Sequence, residues 1–422
     1  MKSFLQKPKT LICGDLFAGA GGLSVGFCAS GFEFAFHNEI APDAVATLRH
    51  NNPSSHVFDC PIQDLNASVI KEKALRERSI DVMIGGPPCQ GFSINAPERT
   101  QEDERNHLFR HYVRLVLEGL RPRVVLLENV PGLVSFDGGK TLAEVDKAFS
   151  MAGYKTAWKI LNAAHYGVPQ ERWRLFMIGT TENIELSFPT PIHYSLQRAN
   201  FSGGKTMIFD GAVKRDQSSL FSRHLLPPIT VADAIGDLPK IDSGGGKQEM
   251  KYSTSASSDY QRSSRSNSKI LWNHECSGLS DVNMKRIGFV RPGGSWRDIP
   301  HELLPPGMQR ARRSDHTKRY GRLDPNGTSG TIMTKCDPHW GTVIHYKQDR
   351  IISVREAARF QSFPDNYRFF GSLVEQYRQV GNAVPPLLAR AIAEHIKKLL
   401  SAENSAVMST RGDEQCAQQA RI

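Results

Sequence analysis

The stretch "GGPPCQGFS", Gly85 to Ser93, holds a thiol in a turn stiffened by two prolines. The residues before it, Ile80 to Ile84, read as a short buried strand. Cys89 would then stand on the loop at a strand's C-terminal end, where open α/β sheets bind their ligands. A thiol there is either a nucleophile or an inert buried cysteine in a tight turn. Two further groups offer chemistry. "LLENVPG" puts Glu128 and Asn129 at the end of another strand, where a carboxyl can act as a proton donor or merely cap the next helix. "VPQERWR" presents Gln170, Arg172 and Arg174 at alternating positions. In an extended segment these three share a face, suited to gripping a polar substrate or to solubilising an edge.

"DLFAGAGGLSVGF", Asp15 to Phe27, follows a predicted strand and opens a helix. Gly19, Gly21 and Gly22 allow a ligand close to the backbone, but Ser24 takes the third glycine's place of the dinucleotide fingerprint, and no phosphate loop is formed. Glu39, twenty residues after Gly19, ends the second predicted strand and can accept both hydroxyls of a ribose. A nucleoside cofactor without a pyrophosphate suits both features, with S-adenosylmethionine the first candidate. No metal-ligand set is visible. The seven cysteines (Cys13, Cys28, Cys60, Cys89, Cys276, Cys336, Cys416) are scattered and odd in number, which points away from a disulfide framework and towards a reducing compartment.

These groups need a rigid frame, and the chain up to about residue 182 supplies the rhythm of a doubly wound sheet. The predicted strands are Leu11–Leu16, Phe34–Glu39, His56–Phe58, Ile80–Ile84, Val124–Glu128, Thr156–Asn162 and Arg174–Gly179. Helical patterns cover Pro42–His50, Asn106–Leu120 and Thr141–Met151. Ser243–Lys269, rich in Gly, Ser and Lys, reads as a flexible loop or insertion, and irregular basic sequence continues to about residue 325. Order returns where Ser353 and Glu356 form a capping-box pattern. A last helix over Pro385–Leu400 aligns Leu388, Ile392, Ile396 and Leu399, before a polar tail expected to be disordered.

The chain of 422 residues carries a net charge of +10 and a pI near 9.2, which favours an anionic partner. Ten basic residues lie between Lys285 and Arg322: Lys285, Arg286, Arg291, Arg297, Arg310, Arg312, Arg313, Lys318, Arg319 and Arg322, opposed by Asp298, Glu302 and Asp315. They read as a phosphate-contacting surface or a solvated basic face. No apolar run reaches membrane-spanning length and no signal peptide is seen, so a soluble cytoplasmic protein is expected.

Taken in order, "DLFAGAGGLSVGF", "GGPPCQGFS", "RNHLF", "ENVPGL", "QERWR", "REAARFQSFPD" and "RQVGNAVP" resemble the motifs of the DNA (cytosine-5)-methyltransferases. The resemblance implies an α/β fold with a Rossmann-like S-adenosylmethionine-dependent large domain and a smaller, irregular target-recognition domain. It implies boundaries at 1–182, 183–352 and 353–400, the last segment returning to the large domain, with 401–422 as tail. "TVADAIGDLPKI" and "SWRDIP" also resemble catalytic segments of eukaryotic maintenance enzymes, but with no long N-terminal extension a bacterial or phage modification enzyme is expected. In that reading Cys89 is the nucleophile, Glu128 assists at the base, and Arg172 and Arg174 hold the flipped nucleotide. The implied cofactor residues are Asp15, Phe17, Ala18, Gly19, Gly21, Gly22, Glu39, Asp59, Pro87 and Asn382. "FDCPIQDL" departs from the family's Asp-Ile pair, leaving Asp59 or Asp64 to read the adenine, Asp59 being the first choice. The expected partner is double-stranded DNA, without membrane or metal, bound by a monomer. A transfer-RNA substrate and a catalytically dead DNA-binding protein are the alternatives.

Overall fold

The computed structural model describes residues 10–87, 108–195, 225–315 and 318–401. Its apolar runs become one seven-stranded sheet. β1 (Ile12–Leu16), β2 (Glu33–Asn38), β3 (His56–Phe58), β4 (Val82–Gly85) and β5 (Val124–Asn129) run parallel. β6 (Lys155–Asn162) and β7 (Trp173–Thr180) are antiparallel additions, in the order β3-β2-β1-β4-β5-β7-β6. Each expected strand is present to within two residues at either end. Every residue of β1 and β4 is buried, as parallel strands covered on both faces must be.

Helices α1 (Gly22–Ala29), α2 (Pro42–Asn51), α3 (Ala67–Ile70), α4 (Leu108–Leu115) and α5 (Lys140–Met151) connect the strands. The helix expected over Asn106–Leu120 is α4 followed by a π-helical turn, Val116–Leu120, inside which Gly119 has φ 116; its first two residues lie outside the described ones. One apolar cluster, including Phe36, Met83 and Leu127, covers one face of the sheet. A second, including Phe27, Ile84 and Phe176, covers the other.

After β7 come α6 (Val231–Ile235), β8 (Gly246–Met250), α7 (Asp259–Arg265), β9 (Leu271–Glu275), α8 (Asp281–Gly288), α9 (Pro306–Gln309), β10 (Gly321–Arg322) and β11 (Thr342–Ile344). The segment Ser243–Lys269 is therefore not the flexible insertion its composition suggests. β8 pairs antiparallel with β9, and Ser258 and Gln261 form a capping box that starts α7. Its serines serve as caps, and buried Tyr260 and Gln261 anchor the helix through bonds to the carbonyls of Arg359 and Ala232. Side chains that terminate helices are indistinguishable by composition from those of a linker.

The chain closes with α10 (Val354–Phe360), α11 (Leu373–Asn382) and α12, residues 386–401. Ser353 and Glu356 cap α10 reciprocally, as expected. Arg359, fully buried, is held between Asp237 at 3.0 Å and Asp365 at 2.6 Å, tying α10 to the segment after α6. The tail from 402 onward lies outside the described residues. α12 packs on α1: a Cβ at Gly22 would collide with the Val384 carbonyl, and one at Gly26 with the Pro386 carbonyl and Ala389. Only hydrogen at these two positions permits so close an approach.

Candidate active site

The C-terminal ends of β1, β2, β4 and β5 and the N-terminal end of the antiparallel β7 meet along one edge of the sheet. The turn after β1 is shaped by left-handed backbone at Phe17 (φ 57), Gly19 (φ 55) and Gly21 (φ 76). It is pinned by Ala18 N donating to Asn38 O at 3.0 Å and by Tyr367, whose hydroxyl donates to Ala20 O at 2.5 Å. Glu39 stands at the end of β2. Its Oε2 accepts from Gly19 N, and its Oε1 from Ile40 N and Ala41 N, each at 2.8 Å. The carboxylate is thus fixed beside the turn, with lone pairs left for further donors. Among the described residues, no heavy atom lies within 4 Å of a Cβ built on Gly19.

Beneath the turn, Asp15 is buried and its Oδ2 is hydrogen-bonded to Ser24 Oγ, while Oδ1 has no partner among the described residues. Burial pushes its carboxyl up to about 7, against the Ser24 hydrogen bond and with a smaller push from Glu39. A buried carboxyl oxygen below a Gly-rich turn, with a fixed carboxylate beside it, suits a ligand carrying both an ammonium and a ribose. The residues present therefore fit S-adenosylmethionine. Asn382, exposed at the end of α11, is one residue from Ala383, which packs against Gly22 at the turn. Asp59 follows β3 but points to solvent, paired with Arg49 at 2.8 Å; that hydrogen bond holds its carboxyl below the usual range. Asp64 is exposed as well.

The second half of the site is built by β4, β5 and β7. Because β7 enters antiparallel beside β5, Arg174 reaches Glu128, Nε to Oε1, at 3.0 Å. The Glu128 side chain is only 13 % exposed. Burial raises its carboxyl above the ordinary value, partly offset by Arg174 and Arg172. Gly86 lies against it: a Cβ there would come within 2.9 Å of Oε2. Asn129 Nδ2 donates to Pro87 O at 3.2 Å, tying the end of β5 to the start of the cysteine loop. Cys89 itself lies outside the described residues.

Arg172 is placed differently from Arg174. It is 1 % exposed, and its two Nη groups donate to Ile332 O at 3.1 Å and Gly381 O at 2.7 Å. Gln170 does similar work, donating to Phe360 O and Gln361 and accepting from Ile332 N. Of the alternating trio, only Arg174 faces Glu128 directly. The other two fasten the segment around Ile332 and α10–α11 to the sheet. Gly86, Asn129 and Tyr367 are supporting residues to which motif reading gave no role. The family strings contained the first two and stopped two residues short of Tyr367, and nothing in their spacing showed what these side chains touch.

The basic stretch also divides. Arg322 is buried, and its guanidinium donates to the carbonyls of Ile287, Val290, His345 and Gln348 and to Asp349. It is a brace, so it leaves the set of candidate phosphate contacts. Arg310, Arg312 and Arg313 are exposed. Arg319 stacks 4.9 Å over the ring of Trp340, itself 54 % exposed. This basic and aromatic surface suits a polyanion carrying bases.

Residues 11–398 match the family described as C-5 cytosine-specific DNA methylase. The type II methyltransferase M.AgeI of Thalassovita gelatinovora is 34 % identical, over 92 % of this chain and 99 % of its own. M1.HphI of Haemophilus parahaemolyticus is 36 % identical, over 91 % and 86 %. Among solved structures, a DNA modification methyltransferase encoded within an E. coli prophage superposes with a TM-score of 0.69 at 27 % identity, covering 93 % of this chain and all of that one. With the match spanning both the sheet and the α10–α12 segment, the chain belongs to the C-5 cytosine-specific DNA methylases.

Proposed function

We propose that this enzyme methylates carbon 5 of a flipped-out cytosine in a specific duplex DNA site through a covalent Cys89 adduct, as the modification half of a bacterial restriction-modification system. The observation that carries the reading is the buried Glu128–Arg174 pair, pressed against Gly86 at the root of the cysteine loop. Cytosine carbon 5 is too weak a nucleophile to take a methyl group unaided. The Cys89 thiolate adds to carbon 6, and Glu128 shares its proton with ring nitrogen 3 as charge builds there. Burial raises the Glu128 carboxyl and so favours the protonated form. Arg174, paired with Glu128, would orient that carboxyl or the base carbonyl. S-adenosylmethionine supplies an electrophilic methyl group, which carbon 5 takes up. Loss of the carbon-5 proton and departure of the thiolate then restore the aromatic ring. Reaching this geometry requires extrusion of the base, at a few kcal/mol of unstacking.

Residues 183–352 would choose the target sequence, since Glu128 and Arg174 have no means of reading neighbouring bases. The expected setting is the bacterial cytoplasm, with the enzyme acting as a monomer; among the described residues no helix is long and apolar enough to cross a membrane. The test is covalent trapping on duplex DNA carrying 5-fluorocytosine, with bisulfite sequencing of methylated mixed-sequence DNA to find the site. Fluorine cannot leave as a cation, so the adduct should persist, only with methyl donor present and not in Cys89→Ala. A trapped complex in Cys89→Ala would remove Cys89 from the mechanism, and methyl transfer to transfer RNA in place of duplex DNA would change the substrate.

A further inference from the structure

The Gly-rich turn rests on a buried hydrogen-bonded chain that the reaction above does not use. Ser24 Oγ meets Asp15 Oδ2, His37 Nε2 lies 3.0 Å from Ser24 Oγ, and His37 Nδ1 lies 2.8 Å from Ser55 Oγ. Asp15 belongs to β1, Ser24 to α1 and His37 to β2, and all three are at most 1 % exposed. Ser55, between α2 and β3, is half-buried. Phe34 stacks on the His37 ring, with centroids 5.0 Å apart and planes 20° from parallel, and so helps hold its plane. The chain is open at both ends. One end is Asp15 Oδ1, without a partner among the described residues; the other approaches solvent at Ser55.

Hydroxyl and imidazole groups both donate and accept, so the row can point in either of two directions. With Asp15 protonated, its Oδ2–H donates to Ser24, Ser24 donates to His37 Nε2, and His37 Nδ1–H donates to Ser55. With Asp15 ionised, every donor reverses: Ser55 donates to Nδ1, Nε2–H donates to Ser24, and Ser24 donates to the carboxylate. Moving between the two passes one proton along each link and releases one at Ser55. The imidazole exchanges tautomers and need not become charged at rest in either arrangement.

We propose that this row is a proton wire coupled to cofactor binding: when the ammonium of the methyl donor's amino-acid end is seated at Asp15 Oδ1, the Asp15 proton leaves through Ser24, His37 and Ser55. His37 changes from the Nδ1–H to the Nε2–H tautomer as this happens. The inference rests on the reading of the Gly19 turn as the S-adenosylmethionine site. Two further observations support it. Burial holds the Asp15 carboxyl near 7, so the free protein has a proton to release, and burial holds His37 down at about 3, so the ring stays neutral. Among the described residues, the other titratable groups that sense Asp15 are Glu39, Cys13, Cys28, Tyr112 and Tyr367. Burial raises the last four, leaving them uncharged at neutral pH, and none of the five supplies a cation to Asp15.

The experiment uses the full chain labelled with 15N-histidine at pH 6, with long-range nitrogen–proton spectra recorded before and after saturation with S-adenosylhomocysteine, which has the same amino-acid end. His37→Gln identifies the His37 signals, and Ser55→Ala does so if that variant fails to fold. The expected result is transfer of the ring proton from Nδ1 to Nε2 on binding, abolished in Ser24→Ala. Calorimetry in buffers of different ionisation enthalpy should show release of more of a proton per ligand at pH 6 than at pH 8, as a carboxyl titrating near 7 requires. Ligand binding with an unchanged His37 tautomer would overturn the wire. Failure of the wild-type chain to bind S-adenosylhomocysteine at all would overturn the cofactor reading instead.

Discussion

Glu128 and Asp15 are both carboxyls raised by burial, and the two make opposite demands. Glu128 is useful while protonated, so turnover should fall as pH rises through its folded value. Glu128→Gln cannot share a proton with the ring. It should lose that limb of the pH profile and slow the single-turnover rate by roughly 10²–10⁴-fold, the range for a lost general acid. Calorimetry should find cofactor affinity unchanged; a fast Gln variant would show that the carboxyl's proton is not needed. Asp15 bears on stability. Its folded value of about 7 lies above the ordinary 3.8, so the folded state favours the protonated form. That stabilisation is complete below the unfolded value and is lost as pH rises through the folded one. Urea unfolding of Asp15→Asn, which cannot ionise, should show its advantage over wild type growing between pH 4 and pH 7. The change should be at most about 4 kcal/mol, from about three pH units at 1.36 kcal/mol each. An advantage independent of pH would mean that the Asp15 carboxyl is not raised.

At the scale of elements, the site depends on two placements. The antiparallel entry of β7 beside β5 brings Arg174 to Glu128, and the seating of α12 on α1 backs the Gly-rich turn. The second can be tested directly. At Gly26 a new Cβ would meet the Pro386 carbonyl, Ala389 and the Arg390 amide, and backbone atoms cannot swing aside as a flexible side chain can. Gly26→Val should therefore destabilise by about 1–3 kcal/mol or more, as overpacking does. Denaturant titration measures the loss, and cofactor affinity should weaken with it because the turn begins α1. A variant as stable as wild type would mean that α12 does not pack at this distance.

For the whole molecule, the net charge of +10 matters through where it is exposed. Arg322 and Arg359 are internal braces and contribute nothing to a DNA-facing surface. Arg310, Arg312 and Arg313 face solvent. Neutralising these three should weaken binding to all duplexes alike and reduce the salt dependence by about 0.9 in slope for each phosphate that is no longer neutralised. The methylated sequence should stay the same in bisulfite maps. An altered site with an unchanged slope would show that these arginines read bases.

The sequence by itself determined the features written in short windows. The alternation of apolar runs and helical patterns yielded all seven strands of the main sheet, though none of β8 to β11, and the spacing of Gly19, Glu39, Ser353 and Glu356 anticipated the turn, the carboxylate beside it and the cap on α10. Such features are local because a strand's burial or a helix cap depends on neighbours within a few residues. Tertiary structure alone decided which way β6 and β7 run, that the serine-rich segment after Asp242 is folded, and where the arginines end. Arg172 and Arg174 are two residues apart in one motif, yet one bonds carbonyls 160 and 209 positions away while the other meets the carboxyl of Glu128. The Asp15–Ser24–His37–Ser55 row was equally hidden. Its members follow no period of helix or strand, and they became neighbours only when β1, α1 and β2 packed together and left polar groups no other partners.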